Sequence, residues 1–172
     1  MQRCRMKRPR ATEPVGEQPE FRLDDFLPYQ LSVTSNRVAR MFARHFAEEF
    51  GLTIPEWRVV AVVGRFEAIS PSRVSDRTGM DKVKVSRAAA TLVARGLLRQ
   101  SQDPADGRAR VLRMTRKGER IYAGAVPLAR RLEEQLKGAL SRVEWSTLQK
   151  ALTRLHDHLE DESGPDSEAD MG

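Results

Sequence analysis

The chain has 172 residues, 40% of them hydrophobic, which permits one respectable core and argues against two independent domains. Thirty Lys/Arg against 24 Asp/Glu leave a net charge of +6 and a pI near 10, the balance of a protein that meets polyanions. No apolar run is long enough to span a bilayer, the basic start lacks a signal peptide's apolar stretch, and the single Cys4 excludes an internal disulfide framework. A cytoplasmic setting is expected.

Residues 1–20 carry Arg3, Arg5, Lys7, Arg8 and Arg10 ahead of Pro14, Gly16 and Pro19. Such a stretch cannot bury enough apolar surface to offset its ordering entropy, so a mobile basic arm is expected. It either adds phosphate or minor-groove contacts to nucleic acid or is a solvated tail. Cys4 lies in this arm, where no fixed neighbour is expected to activate its thiol.

A first long helix is predicted over 23–50. Leu27, Leu31, Thr34, Val38, Met41, Phe42, His45 and Phe46 recur at steps of three and four as a mostly apolar stripe, and Gly51 ends it. Arg37, Arg40 and Arg44 share another face of this helix. Thr53 and Glu56 form a capping box for a second helix, which carries Trp57, Val60, Ala61 and Val63 and ends at Gly64 or Phe66.

From Ser70 the spacing is that of a helix-turn-helix. Ser70 caps a short helix with Pro71 at its opening position, Gly79 stands where a left-handed residue is wanted, and Asp81 caps the next helix. On a wheel, Val85, Ala89, Leu92 and Val93 fall together and are expected to face a core. Val83, Lys84, Arg87, Ala90, Thr91 and Ala94 fall opposite, with cations at the N-terminal end and small residues behind them. Recognition helices read base edges from their N-terminal residues in this way. A surface helix with ordinary solvated charges is the bland alternative.

The following segment favours the sharper reading. Leu97–Gln100 and Val111–Met114 are short β-type runs around Asp103-Pro104-Ala105-Asp106-Gly107-Arg108, which predicts a hairpin. A hairpin directly after a recognition helix is a wing, with Arg108 and Arg110 at or near its tip. Between Asp81 and Lys117 stand ten Lys/Arg against three Asp and no Glu, a local charge of +7 in a chain whose total is +6. Charge gathered on one candidate surface is the footprint of nucleic-acid binding.

A long helix is expected from Thr115 to about Leu140, with Ile121, Tyr122, Ala125, Leu128, Ala129, Leu132 and Leu136 on its apolar side. Pro127 should kink or loosen it. Ser141 and Glu144 form another capping box. The last helix then sets Trp145, Leu148, Leu152, Leu155 and Leu159 in a heptad seam. A narrow seam of this kind buries itself against a second copy or packs within its own subunit. The chain turns acidic from Asp157, and a disordered tail is expected over 163–172.

The stretch Asp106-Gly107-Arg108-Ala109-Arg110-Val111-Leu112-Arg113-Met114-Thr115-Arg116-Lys117-Gly118 resembles the D-x-R…L-x-L-T-x-x-G wing signature of MarR-type transcription regulators, with Met114 in place of the second Leu. The segments 81–98 and 55–60 resemble the same family, and the likeness covers about residues 25–160. It implies a mainly α fold with a small β-hairpin wing. That is a single domain over 21–162, with the winged helix-turn-helix at about 54–115 and dimerisation helices at about 23–50 and 116–160. It also implies a homodimer that sets two recognition helices into successive major grooves, and hence a pseudo-palindromic operator with half-sites about one turn apart. Repression is the expected mode, since it needs only tight occupancy of a promoter.

For DNA, Arg87, Lys84 and Val83 are the candidates for base-edge contacts, joined by Lys82 and Ser86 on the same helix. Ser70, Ser72 and Arg73 should hold phosphates at a helix start, and Arg108 and Arg110 should act from the wing. The resemblance implies that Asp106 orients Arg108 rather than touching DNA. The resemblance further implies a small-molecule effector, aromatic or anionic, in a pocket beside the dimer helices. Arg37, Arg40 and Arg44 with His45 and Trp57 are candidates to receive an aromatic acid or its coenzyme A thioester. The alternative is a solvated arginine stripe pairing with acids such as Glu48. A rival function is an architectural DNA-coating protein with neither sequence choice nor effector. Enzyme chemistry, metal and cofactor are not expected. His156 and His158 stand two apart and point to nearly opposite sides of a helix, and there is no glycine-rich phosphate loop.

Overall fold

Six helices and one hairpin follow one another in the computed structural model, which describes residues 21–102, 107 and 109–162. After a short 3-10 turn at Leu23–Asp25 come α1 (Leu27–Phe50), α2 (Ile54–Arg65), α3 (Pro71–Thr78) and α4 (Lys82–Ala94). Then follow β1 (Leu98–Gln102), β2 (Arg110–Met114), α5 (Arg116–Lys137) and α6 (Arg142–Glu162). This is the mainly α winged helix-turn-helix expected. The basic arm, the acidic tail past Ser163, and the wing-tip residues 103–106 and Arg108 lie outside the described residues.

The chain divides into two compact units, Met1–Arg37 and Val38–Gly172. In the first, the Phe21 and Phe26 rings meet edge to face at 5.5 Å, and the Gln30 amide donates to the Asp24 carbonyl at 2.7 Å. The long helix starts four residues later than expected. Pro28 explains this: it is tolerated in a first turn, where its missing N–H is no loss, but not deeper inside a helix.

In the second unit the core gathers Phe46, Leu52, Val59, Val60 and Val63 with Val74, Val85 and Leu92 of the helix-turn-helix, Leu98 and Leu112 of the hairpin, and Leu128 and Leu132 of α5. Each fully buried Val or Leu contributes about 1.5–3 kcal/mol relative to exposure. The wheel for α4 needs one correction. Ala88, 6% exposed, takes the core place assigned to Val93, which is 37% exposed. Val85, Ala88, Ala89 and Leu92 make the i, i+3, i+4, i+7 stripe, and Val93 lies a further 100° around the helix.

The strands pair antiparallel, with Leu98 opposite Met114, Gln100 opposite Leu112 and Gln102 opposite Arg110. Their bounds differ slightly from the expected runs. Leu97 is left out because its N–H goes back to the Leu92 carbonyl and its own carbonyl accepts from Thr115, so it makes the corner rather than the ladder. Ile69 adds a bridge on the other side of β2, exchanging both backbone bonds with Leu112 at 2.8 and 3.2 Å. The wing is thereby pinned to the chain just ahead of α3. Helix α5 continues through Pro127. The carbonyl that Pro127 leaves without a donor belongs to Ala123; both residues are exposed, so water can take it.

Candidate nucleic-acid interface

Short-range hydrogen bonds set the two helices of the reading unit. The Ser70 hydroxyl accepts the Arg73 N–H at 3.3 Å, with Pro71 opening α3. Gly79 ends α3 at φ 62°, a conformation that costs glycine nothing. The Ser75 hydroxyl donates to the Met80 carbonyl and the Thr78 hydroxyl to that of Val74, which ties the turn from within. The Asp81 carboxylate then accepts the Lys84 N–H at 2.7 Å and caps α4. That bond foremost, and the Lys84 ammonium after it, hold the Asp81 carboxyl below its ordinary value of 3.8.

With α4 docked on its Val85, Ala88, Ala89 and Leu92 side, Lys82, Val83, Lys84, Ser86 and Arg87 are all exposed. Val83 is 59% exposed, a large apolar side chain held out at the N-terminal end. Ser72 and Arg73 are exposed on α3, and Ser70 is half-buried by its capping role. Lys84 pairs with Asp81 at 3.6 Å, both in solvent. Arg73, Lys82, Arg87 and Arg110 have no carboxylate partner among the described residues. Desolvating such cations against phosphate therefore breaks no ion pair among the described residues. Arg110 is exposed at the outer end of β2, while Arg108 lies outside the described residues.

Two further cations were not singled out from sequence. Arg99 and Arg113 stand directly opposite each other on β1 and β2, again without a carboxylate among the described residues. Like charges placed this way oppose strand pairing unless an anion lies nearby. Their alternation in the β runs was the available signal, and it needed the register to be read.

The residues named for a small ligand separate. Trp57 lines a cavity of about 360 Å³ together with Phe42, Tyr122 and Val126, and with Arg130 and Glu133 at its polar side. The Trp57 ring stacks on Phe46 at 4.6 Å and on Tyr122 at 6.5 Å. Arg40 and Arg44 are exposed, and Arg44 bonds Glu48 at 3.3 Å, the pairing the solvated-stripe alternative expected. His45 is half-buried; Arg37 is exposed in the N-terminal unit. The cation at the aromatic cavity is thus Arg130 of α5, which sequence reasoning missed. Its one-turn spacing from Val126 was the clue. A second cleft, about 340 Å³, runs between the start of α2 and the recognition helix, with Thr53 and Glu56 facing Lys84, Arg87 and Thr91.

Residues 50–109 match the model of the MarR family. The transcriptional regulator HosA of Escherichia coli O111:H- is 29% identical over 113 residues, which is 63% of this chain and 84% of that protein. A solved probable transcriptional regulator from Pseudomonas aeruginosa is 29% identical, covering 78% of this chain and 99% of that one, with a TM-score of 0.69. The fold also matches BpsR of Bordetella bronchiseptica at 24% identity and TM-score 0.74, over 80% of this chain and 98% of that one. DNA binding by BpsR is regulated by 6-hydroxynicotinic acid.

Proposed function

We propose that this chain is a transcriptional regulator of the MarR family, whose model residues 50–109 match, and that it acts as a homodimeric repressor of a pseudo-palindromic operator, released by an aromatic or anionic ligand. One observation carries the DNA half. The N-terminal end of α4 presents Lys82, Val83, Lys84 and Arg87 to solvent, and neither Lys82 nor Arg87 is ion-paired with a carboxylate among the described residues. Arg87 and Lys84 read base edges, with Val83 available to a thymine methyl; a good bidentate contact contributes about 1–3 kcal/mol of discrimination. Ser70, Ser72 and Arg73 anchor phosphates at the start of α3, and Arg110 supports the wing.

The homodimer is supported by α6. Leu148, Leu152, Leu155 and Leu159 are 36–53% exposed, Val143 is 74% exposed, and no residue of the helix is buried in the single chain. A seam of that kind is covered when a second copy docks. For the effector, the cavity at Trp57 and Tyr122 offers aromatic walls with the Arg130 cation and the Glu133 carboxylate at its polar side, so an aromatic acid can stack on the walls and set its carboxylate against Arg130. The regulation of BpsR by 6-hydroxynicotinic acid makes that compound the first to try.

The test begins with a site selected from random duplexes. Arg87→Ala should lose on the order of 10-fold or more on that site and little on random DNA, whereas Arg110→Ala should weaken both alike. Fluorescence anisotropy reads both. Equal losses for Arg87→Ala on the two DNAs would remove it from base reading. A wild-type ratio of specific to random affinity well below about 10³ would favour the architectural alternative. Titrating 6-hydroxynicotinic acid, other aromatic acids and their coenzyme A thioesters onto the complex tests the effector. If none releases DNA, that half of the proposal fails.

A further inference from the structure

One side chain reaches from the far end of the recognition helix to the ends of two other helices. Arg95, the C-cap of α4, donates from Nη1 to the Gly51 carbonyl at 2.8 Å and from Nη2 to the Phe50 carbonyl at 3.2 Å. Its Nη1 also lies 3.6 Å from Oε2 of Glu56, a carboxylate whose residue is only 7% exposed. The same Oε2 accepts the Thr53 N–H at 2.8 Å in the capping box of α2. The guanidinium therefore joins three acceptors: the carbonyl of Phe50 at the negative end of α1, that of Gly51 just past it, and a buried acid at the head of α2. Only a planar fork with several donors meets such a set, and a lysine ammonium does not. On the backbone side, the Lys117 ammonium donates to the Arg95 carbonyl at 3.0 Å, and the Thr115 hydroxyl donates to that of Gly96 at 2.7 Å. Helix α4 is thus tied at its C-terminus to the ends of α1, α2 and α5.

We propose that Arg95 is a positioning residue that fixes the direction of the recognition helix on the dimer frame, and that through it the protein discriminates the spacing between half-sites. This rests on the paired-half-site reading above. Arg95 touches no base itself, for it lies eleven residues, roughly 16 Å along the axis, from Lys84. That distance makes it the pivot of a lever. A swing of about 10° at the pivot moves the reading end by roughly 3 Å, close to the rise of one base pair. A recognition helix free to swing that far accepts half-sites one base pair nearer or farther. One held by three acceptors does not.

The experiment uses the full chain and a site selected from random duplexes with the wild-type protein, re-synthesised with one or two base pairs added or removed between the half-sites. The wild type should lose at least about 30-fold on a one-base-pair change, and Arg95→Met, which keeps the stem and removes every bond, less than about 5-fold. Arg95→Lys should fall between them, and sedimentation should give all three the same dimer mass. Arg95→Met that keeps the wild-type spacing profile, however weak its binding, overturns the proposal. If that variant fails to fold, Arg95→Gln, too short to span the Phe50 and Gly51 carbonyls, is read the same way. A wild-type protein without any preferred spacing would instead remove the paired-half-site reading itself.

Discussion

A Cβ at Gly118 would run into the carbonyl oxygen of Leu97, at the point where the wing closes onto α5. Thr115, three residues earlier, takes the Gly118 N–H on its hydroxyl at 3.0 Å, and its own backbone N–H donates to the Leu97 oxygen at 3.1 Å. The T-x-x-G signature therefore has a physical content: the threonine caps the helix, and the glycine lets the strand corner lie against it. Gly118→Ala should destabilise the fold by about 1–3 kcal/mol through overpacking, read as a lower urea midpoint. Asp81 makes a prediction in pH. Its carboxyl is held below 3.8 by the Lys84 N–H and ammonium, so its contribution is complete at neutral pH and is lost as the pH falls through that lowered value. Helicity measured on acid titration should show a loss below pH 3.8 that Asp81→Asn, which still caps but cannot be protonated, does not share. At pH 7, Asp81→Ala should melt lower than either. Caps of this sort were legible because donor and acceptor lie within four residues. Arg95 was not legible, because its partners are 44 and 45 residues away.

Among the elements, α6 separates a pattern from its use. The heptad steps of Trp145, Leu148, Leu152, Leu155 and Leu159 are plain in the sequence, and the helix forms over Arg142–Glu162 behind the expected Ser141–Glu144 box, with bonds of 2.8 and 3.3 Å. Periodicity leaves open whether the seam packs within the chain or against a copy. Within one chain no residue of α6 is buried, which favours the copy. Leu152→Asp with Leu155→Asp should therefore give a monomer by sedimentation. The same variant should lose on the order of 10²-fold or more in operator affinity, since the second half-site no longer binds intramolecularly. A variant that stays dimeric would place the interface elsewhere. Element starts were the weaker part of the reading. Pro28 moved the opening of α1, and the Leu97 corner moved that of β1, each by a local backbone demand that hydrophobic spacing does not register.

At the scale of the whole molecule, charge and cavities divide in the same way. A local +7 between Asp81 and Lys117 is a property of composition, and it pointed to nucleic acid before any helix was placed. Which cations remain open is a property of packing: Arg87 and Arg110 make no ion pair among the described residues, while Arg95 is turned inward to a carboxylate and two carbonyls. The aromatic cavity follows the same rule. Trp57 was singled out from sequence, yet its neighbour Arg130 comes from a helix more than seventy residues later, and Arg44 spends its charge on Glu48. Sequence alone determined the helices, their caps, the turn glycine, the wing and the polyanionic partner, because each depends on residues within a few positions or on summed charge. Tertiary structure decided which arginine stays open to solvent, which lines the cavity and which is bonded inward at the end of α4, because a guanidinium takes its role from the acceptors that folding brings to it.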